Sequence, residues 1–276
     1  MMDRRPPRKA GTGRPGARDQ KFSRGKPQER KPFDRDRKPF RSDKPKPRSD
    51  QAQREKFDFP TIPAEVSAED LHISVRAQLK TLSIENQEIV AQHLQMVALL
   101  IDDDPKLAHR HALAAAKKAG RIAVVRETLG VTAYTTGDYA LALRELLTHR
   151  RISGSNDQLP LIIDSERGLG RAEKALAQAA GIDRSKLPVG VRINLAIALS
   201  GARLDLGQTE LAKQELEIPE LSPKTVFEQS PLLFRSYAEI LRELGQDGSK
   251  WDELADKAEQ AMAETEEETV GLQEEK

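Results

Sequence analysis

"TLGVTAYTTGDYALAL", Thr128 to Leu143, decides how this chain is read. It places Leu129-Gly130, Gly137-Asp138-Tyr139 and Ala142-Leu143 in close succession. Such glycines either cradle a ligand in a loop or serve two packed helices, one at a crossing and one at an elbow. Small residues at a crossing let helices approach, and glycine tolerates the backbone of a tight helix end. The flanking sequence favours the helices.

From about Glu65 onward apolar residues recur every three or four positions, as in Ile84, Ile89, Val90, Leu94, Val97 and Ile101. That is the spacing of one buried helix face. No alternating strand pattern of useful length occurs. Asp104-Pro105 and Ser230-Pro231 each read as an N-cap followed by proline at the first helical position. Ser249-Lys250-Trp251-Asp252 reads as a capping box. Breaks fall at Asp103-Asp104, Gly137, Gly170, Gly207 and Gly245-Gly248, in steps of 34, 33, 37 and 38 residues. A period in the thirties is the signature of stacked helical hairpins. The expected pairs are 84–101 with 105–119, 121–136 with 138–152, 156–167 with 171–180, 189–206 with 208–218, and 231–245 with 249–264. The fold class predicted is all-α, a solenoid of about five stacked antiparallel helical hairpins preceded by a disordered tail.

In the opening stretch the chain resembles the tetratricopeptide repeat family. Leu129 and Gly130 match the Leu-Gly of that family's first helix. Gly137, Asp138 and Tyr139 match its turn, and Ala142 and Leu143 match the Ala-Leu of its second helix. "GQTELAKQEL" keeps Gly207 and Ala212, with Ser200 in place of the first-helix glycine, and "GRAEKALAQA" keeps Gly170, Ala175 and Leu176. Arg126 stands where the family often has tryptophan. The basic tail with degenerate repeats is similar to a tetratricopeptide-repeat family from actinobacteria. The resemblance implies a non-enzymatic adaptor or scaffold that binds an extended protein partner along a concave face made by the first helices.

Charge is segregated along the 276 residues. Residues 1–57 carry 20 Lys/Arg against 8 Asp/Glu, a net of +12, while 58–276 carry 25 against 36, a net of −11. The first 57 residues hold 8 of the 16 prolines and no Val, Ile or Leu. Such a segment cannot bury enough apolar surface to offset its ordering entropy and is expected to be disordered. The domain reading is therefore a basic tail over 1–57, a linker with short lead-in helices over 58–83, a helical-repeat domain over 84–264, and an acidic disordered tail over 265–276. The absence of cysteine excludes disulfides and thiolate metal sites. The N-terminus lacks the apolar core of a signal peptide, and the longest apolar run, Met96 to Ile101, is far short of a membrane span. A cytoplasmic protein without a membrane partner is expected.

The chemical motifs are weak. "GTGRPG", Gly11 to Gly16, matches a dinucleotide fingerprint in letters but lacks the strand and helix that would aim backbone N–H groups at phosphate. Asp102 to Asp104 serve more simply as a helix cap than as a cation site. His109 and His111, two apart on a helix, point about 200° from one another and cannot share a metal. His149 reads as a tolerated helix-face residue. No catalytic, metal or cofactor site is expected.

Two surfaces remain. On the concave face the candidates are Glu127, Val131 and Tyr134 from the first helix of the best unit, and Asn194 and Ile197 from 189–206. Packing against a neighbouring helix is the competing use of these residues. The cationic clamp by which some tetratricopeptide domains hold a terminal carboxylate is missing, so the groove is expected to be apolar or mixed. In the tail, Phe22, Phe33 and Phe40 lie among basic residues including Arg30, Lys31, Arg37 and Lys38. Cations neutralise phosphates and phenylalanine stacks on unpaired bases, so single-stranded or ribosomal RNA is a possible partner. A solubilising tail, or one folded back on the acidic body, is the alternative.

Overall fold

The computed structural model of the protein describes residues 58–274, and side chains as far as residue 264. Among the described residues the structure is helical, with eleven α-helices, two short 3-10 turns and no strand. A 3-10 turn at Ala68–Asp70 and helix α1, Ile73–Leu79, form the lead-in. Then follow α2 (Ile84–Leu100) and α3 (Pro105–Ala119), α4 (Ala123–Thr135) and α5 (Tyr139–Ser153), and α6 (Leu159–Gly168) and α7 (Ala172–Gln178). After a 3-10 turn at Arg184–Lys186 come α8 (Val189–Asp205), α9 (Thr209–Leu216), α10 (Ser230–Glu243) and α11 (Ser249–Glu274).

Consecutive helices pack in pairs: α2 on α3, α4 on α5, α6 on α7, α8 on α9 and α10 on α11. The second helix of each pair also packs on the first helix of the next. First helices touch successive first helices, α2 with α4, α4 with α6, α6 with α8 and α8 with α10. Burial is consequently a row of clusters rather than one core. Leu79, Val90, Leu94, Ala115 and Val125 fill the first; Leu159, Ile163, Leu195 and Leu199 fill a middle one; Ile193, Leu216, Leu233 and Ile240 fill another.

The regular breaks have one cause. At the end of α4 Gly137 has φ 81, the Gly137 N–H donates to Tyr134 O at 2.9 Å, and Asp138 N–H donates to Ala133 O at 2.9 Å. This paired capping of the last carbonyls requires a left-handed residue, which glycine supplies without a Cβ clash. The same two bonds recur at Gly170, Gly207 and Gly245. Gly130 serves the crossing: a Cβ there would lie 2.6 Å from Leu146 on α5, whose side chain is fully buried. Ala142 on α5 and Ala212 on α9 are fully buried as well.

Starts agree less evenly. Asp104 caps α3 as expected, its Oδ1 accepting from Leu107 N–H at 3.0 Å ahead of Pro105. Asp138 caps α5 in the same way, through Leu141 N–H. Ser230, however, lies inside α10, and its Oγ accepts from Phe227 N–H in the preceding turn. The Ser249 capping box does not form either. Asp247 takes both Ser249 groups, and Asp252 pairs with Arg242 across the α10–α11 turn. Beyond residue 264, where the repeat domain was expected to end, α11 continues to Glu274. Its alanines, glutamates and glutamines are strong helix formers.

Candidate functional site

Two of the five predicted groove residues open onto one concavity of about 290 Å³ between α2 and α4. Leu94, Val97, Ala98 and Ile101 form its α2 wall. These positions, three or four apart, share one helix face. Glu127, Thr128 and Val131 form the α4 wall. Leu71 and Val75 from the lead-in and Gln158, just ahead of α6, complete the lining. The lead-in is thus part of the site: Leu71 is buried in the same cluster as Leu94 and Val124, and the Gln92 amide donates to Val66 O at 3.0 Å.

Glu127 is the charged group of this concavity. Its side chain is 29% exposed, and its Oε1 accepts from Gln158 Nε2 at 2.9 Å. Among the described residues its one neighbour at ion-pair range is His149, whose Nδ1 lies 4.0 Å from Oε2. That Nδ1 is also 3.1 Å from Ala123 O, an acceptor only, so it carries a proton and donates there. His149 is therefore a buried side chain bonded to backbone, not a residue on an open helix face.

Of the remaining three candidates, Tyr134 and Ile197 pack against neighbouring helices. Tyr134 donates its hydroxyl to Asp164 Oδ2 on α6 and meets Tyr139 edge-on, with ring centroids 5.7 Å apart. Burial, then the hydrogen bond and charge of Asp164, push the phenol well above its ordinary pKa, so it remains a donor. Tyr139 in turn lies over Gly168, where a Cβ would come within 2.5 Å of its ring. Arg167 donates to Asp164 at 2.6 Å and to Asp205 on α8 at 2.8 Å, and its guanidinium covers Gly201. Ile197 packs on the cluster between α8 and α10, with Asn194 half-buried on the same helix. Polar bonds therefore zip the first helices together from α4 to α8, and among the described residues none fills the apolar space between α2 and α4.

Several buried polar groups carry no local sequence signal. Arg126 donates to Gly120 O at 2.6 Å and pairs with Glu145, whose side chain is 2% exposed; Arg144 also reaches Glu145 at 2.8 Å. Arg126 thus spans the α4–α5 pair by charge. His93 on α2 and His111 on α3 meet in a buried pair, Nδ1 to Nδ1 at 2.9 Å, while His109 turns to Thr132 on α4 at 3.0 Å. The divergence of His109 and His111 is that expected of i, i+2 neighbours; the partner of His111 lies eighteen residues away. Burial first, then the charges of His111 and Lys118, hold His93 down at about 4.

A second cavity, of about 470 Å³, lies beside α8 among Arg184, Arg192, Ile218 and Glu220. Its cations are already engaged. Arg192 bonds Glu220 and Leu187 O, and Arg184 pairs with Glu215. These bonds brace the turns around α8. Among the described residues no group of three or more His, Asp or Glu could hold a metal, and no helix is long and apolar enough to cross a membrane. The tail candidates Phe22, Arg30, Lys31, Phe33, Arg37, Lys38 and Phe40, and the Gly11–Gly16 motif, lie outside the described residues. No protein-family model, curated protein or solved structure matches the chain.

Proposed function

We propose that this chain is a non-enzymatic helical-repeat adaptor, a tetratricopeptide-like solenoid that holds a segment of a protein partner between its first helices. The observation that carries this is the unfilled apolar concavity between α2 and α4, on the face where Glu127 and Val131 were expected. Supporting it are the four equivalent glycine caps and the contact of each pair with the next. At about 290 Å³ the space is at the low end of small-ligand cavities, roughly 300–1,000 Å³, and suits one or two side chains better than a cofactor. A cytoplasmic setting is part of the same proposal.

The net +12 of residues 1–57 favours a second reading, an RNA- or ribosome-associated accessory protein that gains affinity from its tail. One affinity purification separates the two, run at low and high salt on wild type, Ala98→Arg and a chain lacking residues 1–57, with protein and RNA both identified. The adaptor reading expects protein partners lost from Ala98→Arg and kept by the truncated chain. RNA that vanishes with the tail or at high salt, with proteins indifferent to Ala98→Arg, supports the second reading and ends the first.

A further inference from the structure

We infer that the α2–α4 groove selects a segment that places a Lys or Arg beside one or two aliphatic or aromatic side chains, with the cation seated against Glu127. This rests on the docking reading above and adds the chemistry of the partner. Leu94, Ala98, Ile101 and Val131 offer apolar walls, and among the described residues no Lys or Arg lines the space. Among the described residues no Lys or Arg pairs with the Glu127 carboxylate within it. Gln158 satisfies one oxygen, and the nearby His149 Nδ1–H is committed to Ala123 O.

A bound segment covers this carboxylate and strips water from it. Burying a charge without a partner is costly, whereas a charge-assisted hydrogen bond is among the stronger polar contacts. A purely apolar segment leaves Glu127 desolvated, and an acidic one adds repulsion. A cationic segment removes both costs. The same carboxylate disfavours phosphate, so nucleic acid is not the occupant of this groove. By contrast, Asp164 and Asp205 on the neighbouring helices already hold Arg167 and have no such demand.

The test selects peptides from a random 12-residue phage library on the immobilised full-length chain and remakes the enriched ones for titration. Wild type should enrich aliphatic or aromatic residues next to Lys or Arg. These peptides should weaken about tenfold or more against Glu127→Gln, the loss expected for a hydrogen bond to a charged group. Glu127→Lys should enrich Asp or Glu instead. Thermal melts of each variant check that it is folded. Peptides lost on Ala98→Arg but indifferent to Glu127→Lys would overturn the cationic preference and leave groove docking standing. Peptides indifferent to Ala98→Arg, or no enrichment over background, would overturn both.

Discussion

The Tyr134 hydroxyl on α4 donates to the Asp164 carboxylate on α6, thirty residues away, and Arg167 binds the other oxygen of the same carboxylate. Tyr134 is thereby a tie between first helices, not a free contact for a ligand. Loss of partner binding in Tyr134→Ala would accordingly report a damaged scaffold.

Removing only the hydroxyl isolates this tie. Tyr134→Phe should lower stability by about 1–2 kcal/mol, toward the low end for bonds to charged groups because the site is half-buried. Urea unfolding measures it, and an unchanged midpoint would show the bond contributes nothing.

The helix crossing gives a sterner case. Gly130→Leu must push Leu146 off α4 or shift the helices, at about 1–3 kcal/mol for overpacking. Gly130→Ala should destabilise too, although alanine is the better helix former by about 1 kcal/mol. A more stable Gly130→Ala would mean that α4 and α5 can separate freely.

Arg126 tests the buried charge. Arg126→Ala leaves the buried Glu145 with Arg144 alone and frees Gly120 O, at about 2–3 kcal/mol. Adding Glu145→Leu should recover much of that loss, because the orphaned charge goes with it. A double mutant as unstable as the sum of the two singles would refute the coupling.

Histidine protonation sets a pH dependence. Above about pH 6.5 His93 is neutral both folded and unfolded. As pH falls, the unfolded imidazole takes up a proton that the folded one refuses until about 4. Stability is therefore full above the unfolded value and declines through this window, by about 3 kcal/mol at the bottom. His111 and Lys118 face His93 from α3, with Arg110 beside His111, so no nearby carboxylate on α3 offsets the proton. Melts of wild type and His93→Gln between pH 6.5 and 5, where carboxylates remain ionised, check it; equal slopes would exclude the pair.

The helical pairs were legible because their signals are local. Spacing of Ile89, Val90, Leu94 and Val97 marks a buried face, and each glycine cap is written in consecutive residues. The cap at Ser230 misled because a serine before proline can serve the preceding turn equally well, and at Ser249 the nearby Asp247 took the bonds instead. Among groove candidates, Glu127 and Val131 lie seven and three residues before Tyr134 on the same helix. Yet Tyr134 is occupied and they are open, a difference set by Asp164 on another helix.

Residue order alone therefore settled the helical class, the rhythm of the breaks, the glycine crossing at Gly130 and the separation of a basic segment from an acidic one. All depend on neighbours within a turn or two, or on composition. Packing decided which of the groove candidates line a concavity, that His93 meets His111, and that Glu145 is neutralised by Arg126. Those outcomes join residues eighteen to thirty positions apart, and their energies depend on burial, which exists only once the helices have come together.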